Sequence, residues 1–141
     1  MGLIVEREDV WIASLDDKPG ALAAKLAVLA DAGANLDFVI ARRSPDRPGT
    51  GVMFVTPLQG DAEMKAASEI GFSAANRLHS IRVEGENVKG LAGKVSEKLA
   101  AAGINIRGFS GAVIGKRFVL HIAFDNAGLQ EKAIHIIEKM T

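Results

Sequence analysis

The sequence predicts an α+β chain of two successive βαββαβ units, each an antiparallel sheet with its helices on one face. Three observations predict it. First, LADAGANLDF, starting at Leu29, returns in altered form as LAAAGINIRGF, starting at Leu99. Leu29, Ala30, Ala32, Gly33 and Asn35 match Leu99, Ala100, Ala102, Gly103 and Asn105, and Gly20 and Asp17 match Gly90 and Asn87 at the same 70-residue offset. Second, apolar residues spaced two apart give way to apolar residues spaced three and four apart, and the exchange happens several times. Third, 141 residues leave about 70 per unit, marginal for an independent fold, so the halves are expected to share a core or an interface.

VWIASL begins the first unit as a strand, with Trp11, Ala13 and Leu15 on one face. DDKPG interrupts it, and Pro19 suits a first helical position, where no backbone donor is needed. Leu22, Leu26, Leu29 and Ala30 recur at helical spacing, and Gly33 ends that helix as a left-handed cap. A second strand runs from Asn35 to Arg42, SPDRPGTG is a hairpin loop, and Val52 to Pro57 form a third strand. A short helix over 61–70 stops near Gly71, and FSAAN supplies a weak fourth strand.

The second unit repeats the order. Ser80 to Glu84 form a strand, and Leu91, Val95 and Leu99 mark a helix. Two strands follow, Ile104 to Ser110 and Lys116 to Phe124, and Leu129, Ala133, Ile136, Ile137 and Met140 stripe a final helix. No counterpart of a fourth strand follows, so either this sheet is one strand short or the N-terminal GLIV fills the gap. The division expected is 1–78 and 79–141. Each unit is then a split βαβ, ferredoxin-like plait whose helices cover one face only. In the first unit the uncovered face is expected to carry Val10, Ile12, Val39, Ala41, Met53 and Val55, an apolar patch that calls for a covering sheet. In the second it carries Ser80, Arg82, Arg107, Val119 and His121. A one-residue slip in register would exchange the faces.

The repeated text falls at two places, the turn into the first helix and the turn out of it. At Gly20 and Gly90 the first free amides of a helix point outward, backed by the positive end of its dipole, which attracts a carboxylate or phosphate. Asn35 and Asn105, before the second strands, have carbonyls suited to an ammonium group, and Asp16, Asp17 and Glu86 offer charge for it. Carboxylate at one end and ammonium at the other describes an amino acid. Two units side by side, one giving a helix start and the other a helix exit, would form the pocket. Each residue taken singly also has a structural explanation. Asp17 and Asn87 stand where N-caps belong, a role worth roughly 1 kcal/mol, and Gly33 and Gly103 are helix stops.

DKPGALAAKLAVLADAGANLDF and VKGLAGKVSEKLAAAGINIRGF resemble the first halves of ACT domains, with their D-x-P-G turn, amphipathic helix and AGxNI approach to the second strand. The resemblance covers essentially the whole chain as two tandem copies, and Lys89 stands where the family often has proline. It implies a ferredoxin-like fold and a unit that binds a free amino acid or similar small ligand between two side-by-side domains. Carried over by position, it implies binding roles for Asp16, Asp17, Pro19, Gly20 and Ala21 at the first turn. At the second it implies Asn87, Gly90 and Leu91, with Asn35 and Asn105 at the helix exits. No catalytic domain accompanies the two copies, so the expectation is a free-standing, homo-oligomeric (dimeric) regulator, with a metabolic enzyme as a possible target. The alternative is a ligand-free assembly module that only pairs with other proteins.

Other chemistries find little support. The net charge is +0, from 17 basic and 17 acidic residues, so the broad field that draws nucleic acid or anionic membrane is missing. With no cysteine there is no disulfide, thiolate metal site or thiol nucleophile. His79, His121 and His135 show no metal-ligand spacing, and His121 reads as a packing histidine with a satisfied ring. No serine sits in a G-x-S-x-G setting. An RNA-binding plait needs stacking aromatics where Val39, Met53, Val119 and His121 stand. An acylphosphatase-type loop would not place Asp16 and Asp17 beside a phosphate. Arg42, Arg43 and Arg47 read as a solvated basic hairpin tip, with a grip on phosphate or an acidic partner as the other option. No apolar run is long enough to span a membrane. The expectation is a soluble cytoplasmic protein that is not an enzyme and needs no cofactor.

Overall fold

The computed structural model describes residues 2–73 and 77–140. The elements in order are β1 (Ile4–Asp16), α1 (Ala21–Asp31), β2 (Phe38–Arg43), β3 (Thr50–Thr56) and α2 (Gly60–Glu69). Then come β4 (Leu78–Glu86), α3 (Leu91–Ala101), β5 (Gly108–Ile114), β6 (Arg117–Phe124) and α4 (Ala127–Glu138). This is βαββα read twice. The chain divides into two compact units, Val10–Arg77 and Met1–Asp9 with Leu78–Thr141.

In the unit Val10–Arg77, β3 pairs antiparallel with both β1 and β2, setting Trp11 and Val39 opposite Val55, and Ala13 and Ala41 opposite Met53. Trp11, Ala13, Met53 and Val55 are buried beneath the helices against Leu29, Ala67 and Phe72. Arg77 stacks its guanidinium 5.5 Å from the centre of the Trp11 ring, a cation–π contact. The register corrects one expectation. Val39, Ala41, Met53 and Val55 lie on the helix side, and the opposite face holds Val10, Ile12, Ile40, Val52 and Phe54. VMFV is apolar at every position, so alternation alone could not orient β3; the pairing with Trp11 and Ala13 does. Of the expected strand FSAAN, Ala74, Ala75 and Asn76 lie outside the described residues.

In the other unit, β6 pairs antiparallel with β4 and β5. Ile81, Val83, Phe118, Leu120, Ile122 and Phe124 are buried with Leu91, Val95 and Leu99 of α3 and Ala133 and Ile137 of α4. The place of a missing fourth strand is taken by the chain's own start. β1 neighbours β4 in the sheet order, and residues 4–9 belong to this unit. Leu3 and Val5 pack on its core, and Arg7 pairs with Glu131 of α4. The N-terminal apolar run therefore completes the second sheet, as its pattern allowed. Ser80, Arg82, Val119 and His121 share the face away from the helices, as expected, whereas Arg107, expected with them, stands just before β5. His121 is 8% exposed, and its Nδ1 lies 2.6 Å from Glu8 Oε1. Gln130 is buried on α4 and donates its Nε2–H to the Ser80 carbonyl at 2.7 Å, a lateral tie from helix to strand that no motif announced.

The strands are offset from their expected bounds in consistent ways. β2 and β5 begin at Phe38 and Gly108, three or four residues later than the apolar pattern implied. The preceding residues are spent leaving the helix.

Candidate ligand-binding site

The text that recurs between the halves builds the same two backbone structures twice. At the helix exits, Gly33 (φ 101°) and Gly103 (φ 75°) are left-handed. The amides of Gly33 and Ala34 reach the carbonyls of Ala30 and Leu29, each at 3.0 Å, and those of Gly103 and Ile104 reach Ala100 and Leu99 at 2.9 and 3.0 Å. This is a Schellman closure, which needs glycine at the left-handed position and an apolar contact from the residue after it to Leu29 or Leu99. Helix termination thus accounts for most of the repeated LAxAG. Asn35 and Asn105 follow it and are exposed.

At the helix starts, Ala21 N–H donates to the Lys18 carbonyl at 3.3 Å and Leu91 N–H to Val88 at 3.2 Å. Gly20 (φ 86°, ψ −14°) and Gly90 (φ 81°, ψ 6°) are the N-caps. These are type II turns, with Pro19 and Lys89 at the second position and glycine at the third, where φ must be positive. Pro19 is therefore a turn residue outside the helix, which corrects its expected first helical position. Neither α1 nor α3 receives a side-chain cap, so Asp17 and Asn87 are not the N-caps their position implied. The N-cap positions fall on the glycines, three residues beyond Asp17 and Asn87. Asp17 is held elsewhere: Arg43 Nε donates to its Oδ2 at 2.7 Å. A Cβ on Gly20 or Gly90 would meet nothing within 4 Å, so the space above both turns is open to a ligand.

Each unit has a surface concavity beside its turn. In the first repeat a cleft of about 350 Å³ is lined by Asp16, Asp17, Lys18, Leu22 and the β2 residues Arg42 and Arg43. A neighbouring one of about 440 Å³, on the other side of α1, includes Asp16, Lys18, Ala21, Lys25 and Arg47. Lys25 is anchored there, donating to the Ile70 carbonyl at 2.6 Å. In the second repeat a cleft of about 580 Å³ is lined by Asn87, Gly90, Leu91, Phe109, Val113 and Phe118, among others. So Asp16, Asp17 and Ala21 gather at the first turn, beside Pro19 and Gly20, and Asn87, Gly90 and Leu91 at the second. Asn35 and Asn105 lie at the far end of an 11-residue helix in each unit, about 16 Å away, and line none of these clefts. Sequence reasoning missed the cleft walls. The pattern presents Arg42 and Arg43 as a basic hairpin tip, solvated or gripping a phosphate or acidic partner; both are exposed, and the β2 register also brings them to the cleft beside the turn. The same 70-residue offset would have pointed to Ala112 and Val113 as their counterparts. Among the described residues no group of His, Asp and Glu is placed to hold a metal ion.

Several solved structures share this fold. Protein BT0572 from Bacteroides thetaiotaomicron superposes with a TM-score of 0.75 at 21% identity, covering 99% of this chain and 91% of that one. The structure of aspartokinase alpha and beta subunits gives 0.61 at 23% identity, with 96% and 95% covered. The ligand-free regulatory subunit of aspartate kinase from Thermus thermophilus gives 0.61 at 19%, with the same coverage. At these identities the likeness is one of fold. No curated protein sequence matches significantly. The ACT domain model matches twice, at residues 12–70 and 79–132, and ACT domains serve generally as regulatory units that bind small molecules. With two copies of the βαββα order, two glycine turns and two Schellman exits in register, this chain belongs to the ACT domain family.

Proposed function

We propose that this protein is a non-enzymatic regulator that binds a free amino acid at its strand-to-helix turns. The observation that carries the reading is the duplicate turn. Gly20 and Gly90 are both left-handed, both head helices without side-chain caps, and both adjoin a cleft in their own unit. Helix-start amides suit the ligand carboxylate. Its ammonium group goes to the carbonyl and amide oxygens at Asn35 or Asn105 of an adjacent unit, supplied by a second copy of the chain in a homodimer. Asp16 and Asp17 add negative charge at the first turn. Ordering of that junction by the ligand is the signal, a population shift driven by differential affinity. The target is read as a metabolic enzyme, in line with the aspartate kinase regulatory subunit among the structural likenesses, and the setting as cytoplasmic.

Calorimetric titration of the full chain against the twenty amino acids tests this. Saturable heat with at least one, accompanied by a rise in unfolding temperature, is expected; silence with all twenty overturns the reading.

One observation favours a second reading, a ligand-free assembly module. β5 ends the sheet order and leaves Phe109, Val113 and Ile114 exposed, an apolar edge of the sort that recruits another strand. Replacing Gly20 and Gly90 by larger residues separates the two. Under the first reading the ligand response disappears; under the second the oligomer persists and the only change is the stability cost of a side chain at positive φ.

A further inference from the structure

The clefts at the two turns occupy the same place in their repeats, yet their linings differ: Lys18, Arg42 and Arg43 are the cations of the first, and Lys89 alone is that of the second. The equivalence does not rest on sequence offset alone. Asp17 N–H donates to the Gly49 carbonyl at 3.1 Å and Asn87 N–H to the Lys116 carbonyl at 2.9 Å, closing each strand in the same way. Gly51 stands opposite Leu15 and Arg43, and Phe118 stands opposite Gly85 and Val113. Lys18, Arg42, Arg43 and Gly51 of the first repeat thus become Val88, Ala112, Val113 and Phe118 of the second.

The consequences are physical. In the first repeat the cleft is lined by Lys18, Arg42 and the exposed Arg43–Asp17 pair, and an apolar group lodged there would strip water from these charges without replacing it. In the second repeat the floor is formed by Leu91, Phe118 and Leu120, all nearly fully buried. Phe109 and Val113 stand above it at 41% and 54% exposure. A volume of about 580 Å³ falls within the usual range for small-ligand clefts. Apart from Asn87 and Lys89, the side chains lining this cleft are apolar, and apolar walls over an apolar floor gain by closing on an aliphatic or aromatic group.

We infer that the second-repeat cleft lodges the side chain of an apolar amino acid, branched aliphatic or aromatic, and that the corresponding place in the first repeat rejects it. The inference rests on the amino-acid reading above and adds the ligand class and the repeat that selects it. Val113 and Val88 are the specificity-determining residues, since they replace cations in otherwise matching positions.

The experiment is calorimetric titration of the full chain with glycine, serine, aspartate, lysine, leucine and phenylalanine. Val113→Arg and Arg43→Val are titrated in parallel, with unfolding midpoints and sedimentation recorded for each protein. Leucine or phenylalanine should bind at least about 100-fold more tightly than glycine or serine, the discrimination that several buried methylenes supply. Val113→Arg, at an exposed position, should keep its unfolding midpoint and lose affinity by about 10- to 100-fold. Arg43→Val, which puts the second repeat's residue into the first-repeat cleft, should weaken the rejection of leucine and phenylalanine there. A best ligand that is polar or charged, or unchanged affinity in Val113→Arg, overturns the inference while leaving the amino-acid reading standing. No heat with any ligand removes both. If Val113→Arg instead dissociates a self-associated parent that binds no amino acid, the apolar surface is an interface between copies, and the inference falls.

Discussion

Arg43 Nε donates to Asp17 Oδ2 at 2.7 Å, joining the last residue of β2 to the first residue after β1. The contact braces the start of the D-x-P-G turn from the side, and it has no counterpart at Asn87 and Val113. Arg43 is 77% exposed and Asp17 34%, so water and salt screen the pair. Removing it with Arg43→Ala should cost no more than about 1 kcal/mol. Urea unfolding at low and at high salt checks this, with the difference shrinking as salt rises.

The glycine turns carry a larger share. Because a Cβ at Gly20 or Gly90 would find open space, the cost of Gly20→Ala or Gly90→Ala is that of the left-handed backbone alone, about 1–2 kcal/mol. Asparagine, which tolerates that region better, should recover part of it. Chemical denaturation of the alanine and asparagine variants provides the comparison, and an alanine variant as stable as the parent would contradict the turn geometry.

Lys89 holds the position that proline holds in the first repeat, in a turn closed by the same hydrogen bond. Lys89→Pro should stabilise the protein by about 0.4–1 kcal/mol by restricting the unfolded chain. A lowered denaturation midpoint would mean that the two turns differ in backbone conformation.

His121 and Glu8 hold the N-terminal strand to β6 from the face away from the helices. Truncation by His121→Ala takes a hydrogen-bond donor from a carboxylate that is only 12% exposed, at a cost of about 1–3 kcal/mol. Hydrogen exchange should show the loss first in residues 4–9, which Leu3 and Val5 and the Arg7–Glu131 pair also help to hold.

On the same face, the hydrogen bond from Arg82 holds the Glu84 carboxyl below its ordinary range; burial opposes this, and the charges of Arg82 and Arg117 assist it. Arg82 Nη1 lies 3.1 Å from Glu84 Oε1. The sign follows from linkage. A carboxylate that is more acidic when folded gives stability that is full above the unfolded pKa of about 4.3 and is lost as pH falls through the folded value. Glu84→Gln should therefore narrow the stability gap between pH 7 and pH 3, by under about 1 kcal/mol for this partly exposed pair. Equal loss in parent and variant across that window would refute it.

Much of this fold was legible because it is written twice. Leu29 and Leu99 are spaced as helix-core residues, and Gly33 and Gly103 stand where only a left-handed closure fits, so the 70-residue offset exposed two plaits without any coordinates. The chemistry of the turns was legible too, since a proline or its substitute followed by glycine specifies a type II bend locally. What resisted was long-range. Asp17 looked like an N-cap because capping is a local habit, and only the β2 register shows it engaged by Arg43. VMFV could not declare a face, because both of its sides are apolar.

By itself the sequence determined the repeat, the helices and the glycine bends, since each depends on residues within a few positions of one another. Tertiary structure decided which strand faces lie under the helices and that residues 4–9 complete the second sheet. It also decided that one turn is walled by arginines and the other by Phe109 and Val113. Those outcomes are pairings between segments distant in the chain, where register, and not the preference of any one stretch, sets which side chains meet.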